Sequence, residues 1–308
     1  MDEDYPKTLP ELERRFSSEE ACREYLFILR WPEGFICPRC GGKTAWPMNR
    51  GLWKCGVCKY QVSVTSGTIF QGSHLPLTTW FRAMWYITSQ KNGMSAQGLQ
   101  RVLGLGSYET AWVLLHKLRR AMVRPGRDRL KGKVEVDETY WGGDEEGVVG
   151  RLTEEKAMII VAAEEDGKGI GRIRLHRIHD ITKASLHGFI KQAIEPGSAV
   201  TTDGLNAYRG MEGYIHNRHV QRHQPEGEHL LPRVHRVVSL LKRWLLGTHQ
   251  GAIGHGHLDD YLDEFTFRFN RRKSASRGKL FYRLAQNTVQ IAPAPYDSIV
   301  KPQYIVAG

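Results

Sequence analysis

The chain has 308 residues, 41% of them apolar, enough for a packed core and for roughly two domains of ordinary size. Lys and Arg outnumber Asp and Glu by 44 to 33, giving a net charge of +11, a balance that favours a polyanionic partner. No apolar run approaches the roughly 18 residues of a membrane span, and Met1 to Pro10 is acidic and polar, unlike a secretory leader. The expectation is a cytoplasmic protein, where paired cysteines hold metal more often than they form disulfides.

An N-terminal helical segment is expected over residues 1–32. Leu12, Phe16, Cys22, Tyr25, Leu26 and Leu29 recur at rough helical spacing, and Ser17-Ser18-Glu19-Glu20 offers a capping sequence. Cys22 stands alone on that apolar face and reads as a packed thiol.

Residues 33–72 read as a zinc ribbon. Cys37-Pro38-Arg39-Cys40 and Cys55-Gly56-Val57-Cys58 are two tight knuckles, and the interval between them is long enough for a hairpin to bring four thiolates to one point. Strand-like runs at Thr44 to Trp46, Leu52 to Lys54 and Tyr60 to Val64 fit that hairpin. Such a small module has little core of its own, so metal binding worth on the order of 10 kcal/mol would be its main source of folding energy. With four protein ligands the Zn²⁺ would be structural.

Residues 73–130 are expected to be helical. An aromatic-rich helix at Thr78 to Lys91 precedes two shorter ones, Ser95 to Leu105 and Ser107 to Arg120, joined by a glycine-containing turn, a pattern that suits a helix-turn-helix. Arg119 and Arg120 at the end of the second would contact DNA. Arg124 to Lys133 reads as a basic, exposed linker.

The pattern over residues 131–285 changes to an α/β alternation. Val134 to Thr139 is a short strand with Val134 and Val136 on one face and Glu135, Asp137 and Thr139 on the other, running into Gly142-Gly143. By that alternation Glu138 points away from Asp137 and is not expected to bind metal, whereas Glu135 shares the face of Asp137 and stays a candidate. Ala157 to Ala163 and Ile170 to Ile178 complete an antiparallel meander, and Thr182 opens a helix. A fourth strand, Ala199 to Thr202, ends on Asp203-Gly204. Three strands, a helix, a fourth strand and a later long helix is the order of elements in RNase H-like nucleases, a mixed sheet flanked by helices with the first and fourth strands adjacent. Asp137 and Asp203 would then be neighbours, and two close carboxylates call for a divalent cation between them.

A third ligand is expected from the helix Leu230 to Gly247, which opens with Pro232. Beside its apolar stripe lie His235, Ser239 and Lys242, with Lys242 placed to hold a phosphate. The last helical stretch, Leu258 to Arg271, offers Glu264 as a competing carboxylate, and Arg268, Arg271 and Arg272 follow as a basic cluster. Residues 286–308, with three prolines after Gln290, read as a surface strap.

Together the two cysteine pairs, Val136-Asp137-Glu138-Thr139-Tyr140-Trp141-Gly142-Gly143, Thr202-Asp203-Gly204, Leu241 to His249 and Tyr261 to Arg272 resemble the bacterial insertion-sequence transposases of the ISXO2-like family. The resemblance spans about residues 15 to 285. It implies an RNase H-like catalytic domain that cuts and rejoins double-stranded DNA at an element's ends with Mg²⁺ or Mn²⁺, working as a homodimer or larger assembly on nucleoid DNA. Asp137 and Asp203 match the family aspartates and Lys242 the family lysine, with Arg243 beside it on the DNA. The departure is His235, where relatives place Glu or Asn seven residues before the lysine. A neutral ligand there would favour manganese over magnesium. An inactive DNA-binding descendant of a transposase, or an RNase H-like nuclease, are the alternatives.

Overall fold

A computed structural model describes residues 3–124, 126–142, 156–219 and 230–301. Gly143 of the expected Gly-Gly loop and residues 302–308 of the expected tail lie outside the described residues. The chain forms two compact units, Met1–Pro125 together with Lys273–Gly308, and Gly126–Arg272.

The first unit opens with α1 (Leu9–Arg15) and α2 (Glu19–Arg30). The spacing of apolar residues predicts one helix here. The Ser-Ser-Glu-Glu sequence instead starts a second, because Ser18 Oγ accepts the Ala21 N–H and so caps α2. A three-stranded antiparallel sheet follows, β1 (Ala45–Met48), β2 (Leu52–Cys55) and β3 (Gln61–Ser63). Trp53 stacks on Phe27 of α2 at 4.4 Å, which fastens the ribbon to the helix.

Three helices come next: α3 (Leu77–Ser89), α4 (Ala96–Leu103) and α5 (Tyr108–Arg120). Ser95 and Ser107 cap α4 and α5. Gly104 ends α4 in the left-handed region at φ +64, which glycine adopts without the steric cost of a Cβ.

The second unit contains β4 (Lys133–Trp141), β5 (Ala157–Asp166), β6 (Gly169–Ile178), α6 (Lys183–Ala193), β7 (Ala199–Thr202), β8 (Ile215–Arg218), α7 (Pro232–His249) and α8 (Leu258–Asn270). The sheet order is β6-β5-β4-β7-β8. β4, β5 and β6 form the expected antiparallel meander, and β7 lies parallel to β4 as an RNase H-like order requires. β8 extends the sheet in parallel beyond β7; its sequence Ile-His-Asn-Arg carries no alternation to announce it. One face of the sheet packs Val161 and Ile159 under Val234, Val237 and Leu241 of α7 and Leu262 and Phe265 of α8. The other packs Val134, Val136 and Val200 under Leu186 and Ile190 of α6.

Three boundaries differ from the sequence reading. Leu130, placed in a linker by its basic neighbours, is fully buried and trades backbone hydrogen bonds with Ala193 and Glu195. α7 runs past Gly247 and closes at Gln250, which takes φ 53. Residues beyond Lys273 belong with the first unit: α9 (Arg277–Thr288) sets Phe281 against Phe81 and Trp85 of α3. The expected strap contains α10 (Tyr296–Val300), whose Ile299 is buried.

At the free edge of β6, Asn270 Oδ1 accepts the Ile173 N–H at 2.7 Å and its amide donates to the Ile173 carbonyl at 3.1 Å. Arg272 donates to the carbonyls of Gly171 and Ile170. The end of α8 thus occupies backbone groups that another strand would use.

Candidate active site and metal centre

β4 and β7 pair with Lys133 opposite Ala199, Val134 opposite Val200 and Glu135 opposite Thr201. Continued two residues, that register sets Asp137 level with Asp203, the first residue past β7. One carboxylate oxygen each from Asp137, Glu138 and Asp203 lie within 4.8 Å of one another. Asp137 Oδ1 accepts the Glu138 N–H at 3.0 Å, and Asp203 Oδ1 accepts the Leu205 N–H at 2.9 Å. Burial, then the charge of Asp203, raises the Asp137 carboxyl above its ordinary pKa. The donor set is hard oxygen and crowded with negative charge, which suits a divalent cation.

Glu138 corrects the sequence reading. It does lie on the opposite face from Asp137, where the buried Tyr208 hydroxyl donates to its Oε2 at 2.9 Å. But β7 stops at Thr202, so on that side of β4 no strand separates the two faces past that point, although β5 still pairs with the other side, and the longer Glu138 side chain comes within reach of both aspartates. Glu138 and Asp203 each raise the Tyr208 hydroxyl further, after burial, so the phenol stays protonated and a donor. The Asp203 loop is held a second time by β8, where Arg218 Nε donates to the Gly204 carbonyl at 3.0 Å.

His235 sits in the first turn of α7, half exposed, with Nε2 3.3 Å from Asp137 Oδ2. Its place is set by Glu135, whose Oε2 accepts the N–H groups of Arg233 and Val234 at 2.8 and 3.0 Å, and whose Oε1 pairs with the Arg233 guanidinium at 2.9 Å. Leu231 at the N-cap gives α7 no side-chain cap, so a carboxylate from β4 supplies it across 98 residues of chain. Arg233 also donates to the carbonyls of Gly167 and Gly169 in the β5–β6 turn. Glu135, a candidate ligand by its face, is a helix cap with both oxygens engaged. Glu264 is fully buried on α8, 3.8 Å from Arg268 in an i,i+4 pair, and is not among the carboxylates grouped with Asp137.

In the ribbon, Cys37 and Cys58 bring their sulfurs to 3.6 Å, and Cys40 and Cys55 to 3.7 Å. A tetrahedron with Zn–S of about 2.3 Å has S···S edges of about 3.8 Å, so the four thiols fit zinc. The N–H of Cys58, then that of Val57, lower the Cys55 thiol, while the hydrogen bonds from its neighbouring cysteines raise Cys40, so without a metal the four crowded sulfurs share their protons.

Comparison with known proteins places both sites in recognised domains. Residues 129–270 match the ISXO2-like transposase domain, and residues 17–61 match the transposase zinc-ribbon domain. The chain carries both an ISXO2-like transposase domain and the zinc-ribbon domain of transposases. It is 26% identical over 282 residues to the uncharacterized protein in transposable element ISH50 of Halobacterium salinarum, an alignment covering 83% of this chain and 92% of that protein. A chain of the cryo-EM structure of the simian T-cell lymphotropic virus intasome in complex with PP2A regulatory subunit B56 gamma is 16% identical over 64% of this chain and 74% of that one, with a TM-score of 0.33. No helix among the described residues is long and apolar enough to cross a membrane.

Within the transposase domain, Lys242 lies two turns along α7 from His235 on the same side, and Arg243 beside it is exposed. The other basic residues expected on DNA are engaged in the fold. Arg271 and Arg272 stack on Phe267 and Phe269, each 3.9 Å from the ring centroid, and donate to the carbonyls of the same two residues. Arg268 pairs with Glu264. In the first unit Arg119 is buried with Nη1 3.4 Å from His116 Nε2, and Arg120 donates to the Ser298 carbonyl. A basic run at a helix end reads as a nucleic-acid surface in sequence; packing turns most of this one into caps and cation–π contacts.

Proposed function

We propose that this chain is a catalytically active DNA transposase, binding the terminal inverted repeats of an insertion sequence and carrying out metal-dependent strand cleavage and strand transfer. The observation that carries the reading is the cluster of Asp137, Glu138 and Asp203 carboxylates at the open end of the β4–β7 pair, with His235 against Asp137, inside a matched transposase domain. Asp137, Asp203 and His235 would hold the catalytic ions, with Glu138 in reach. Divalent cations bound there supply activation of the attacking hydroxyl and charge stabilisation at the phosphate.

The protein's part is placement. Glu135 and Arg233 fix the turn that carries His235 against the strand that carries Asp137, and Tyr208 ties the Asp203 loop to Glu138. Lys242, along the same helix, is positioned to hold a DNA phosphate. The zinc ribbon and the α4–α5 helical pair select the ends, and two ends joined to one target call for a homodimer or larger assembly on nucleoid DNA in the cytoplasm. With histidine in place of a third acid, Mn²⁺ serves better than Mg²⁺.

The test is incubation with duplexes carrying the ends of the encoding element and Mn²⁺, comparing wild type with Asp203→Ala. Cleavage and joining by wild type alone is the expected result. Equal silence of both, with binding intact, would leave the DNA-binding descendant as the function, and cutting without joining would leave a nuclease.

A further inference from the structure

The sheet of the zinc ribbon has two unlike faces. Trp53 and Val62 are cross-strand partners, and their side is closed by α2, with Trp53 on Phe27 and Val62 buried. On the other side the register sets Trp46 opposite Lys54, and Lys54 opposite Gln61. Trp46 is 50% exposed there, an indole that nothing in the ribbon's own packing requires at the surface. Lys59, in the left-handed conformation at φ 60, swings its ammonium to 5.1 Å from the Trp46 ring centroid while donating to the Gly56 carbonyl at 2.8 Å. An ammonium has three N–H donors, so that one bond leaves others to offer. At the neighbouring knuckle Arg39 lies 5.9 Å over the Tyr60 ring.

Past Glu33 the charge on this module has one sign. Between Glu33 and Glu109 the sequence has no Asp or Glu, while the ribbon carries Arg39, Lys43, Arg50, Lys54 and Lys59. Such a field attracts a polyanion, and an exposed aromatic set among cations gives that polyanion a flat apolar surface as well.

We propose that the outer face of the ribbon sheet, centred on Trp46, Lys54 and Lys59, is a contact surface for duplex DNA, with the two lysines on phosphates and Trp46 against the sugar and base edges between them. This rests on the transposase reading and adds to it the surface through which the ribbon holds its substrate. Phosphate contacts carry no sequence information, so the surface grips any duplex and supplies the salt-sensitive part of the affinity.

The experiment uses the full-length, zinc-loaded chain and a duplex of about 30 base pairs of arbitrary sequence, with affinity followed against salt concentration. Lys54→Gln with Lys59→Gln should lower the slope of log K against log salt by about 1.8, since each phosphate contact contributes about 0.9. Trp46→Ser should weaken binding at fixed salt while leaving the salt slope unchanged, since it removes apolar contact and no charge. The charge-preserving pair Lys54→Arg with Lys59→Arg should restore the slope, which separates lost charge from a damaged ribbon; zinc content measured on every variant checks the same point. Lys191→Gln, on an exposed position of α6, controls for net charge alone. A double glutamine variant indistinguishable from the Lys191 control overturns the proposal. Failure of wild type to bind any duplex would instead sink the transposase reading on which it rests.

Discussion

Glu135→Ala is the sharpest test of how the site is held. The substitution removes the acceptor for two backbone N–H groups at the start of α7 and the partner of Arg233 Nη1. A lost N-cap costs about 0.5–2 kcal/mol, and a hydrogen bond to a charged group contributes about 1.5–3 kcal/mol. Arg233 keeps the carbonyls of Gly167 and Gly169 and Glu165 at 3.4 Å, so its charge is not left alone. The lower part of the range is therefore appropriate, about 3 kcal/mol in all. The first turn of α7 should open more readily by that amount, roughly 100-fold in exchange rate at about 1.4 kcal/mol per decade. Hydrogen exchange at the His235 amide, bonded to the Leu231 carbonyl at 3.0 Å, reads this directly. Glu135→Gln, which keeps one acceptor oxygen, should lose about half as much. Unchanged protection at His235 in the alanine variant would refute the clamp. Loss of Mn²⁺ binding in Glu135→Gln with protection intact would make Glu135 a ligand after all.

His235→Ala should abolish cleavage, whereas His235→Glu should shift preference from Mn²⁺ toward Mg²⁺; full activity in the alanine variant, measured on an end duplex, would remove His235 from the site. Without a divalent cation at Asp137, burial and Asp203 raise its pKa above the unfolded value, so its contribution to stability is complete below the ordinary carboxylate pKa and is lost as pH rises through the raised one. Thermal unfolding of zinc-loaded protein free of other divalent ions should show that decline, and Asp203→Asn should flatten it; an unaltered slope would contradict the coupling. Asn270→Ala strips two hydrogen bonds from the Ile173 backbone at the β6 edge. A loss of about 2 kcal/mol and a concentration-dependent tendency to associate are expected, read by chemical denaturation and light scattering.

Where sequence and structure agree, the signal is local. The cysteine knuckles, the caps at Ser18 and Thr182, the alternation of β4 and β6 and the continuous apolar run of β5 each concern residues a few positions apart, where spacing fixes geometry. The β4–β7 pairing is legible because an α/β order leaves few connections open. Where they differ, the deciding contact lies far along the chain. Alternation puts Glu135 beside Asp137 correctly, yet only the arrival of α7, 98 residues on, turns it from a candidate ligand into a cap.

Glu138 makes the same point from the other side. Alternation assigns it correctly to the opposite face, and Tyr208 meets it there, but the face ceases to separate residues once the neighbouring strand has ended. Period two is a rule for residues inside a sheet, and a site at a strand's end lies outside its reach. β7 is four residues long and stops at Thr202, one residue short of Asp203, whereas β4 runs on to Trp141. The end of β4 therefore has no partner on its β7 side, and Asp137, Glu138 and Asp203 can turn their carboxylates into the same gap.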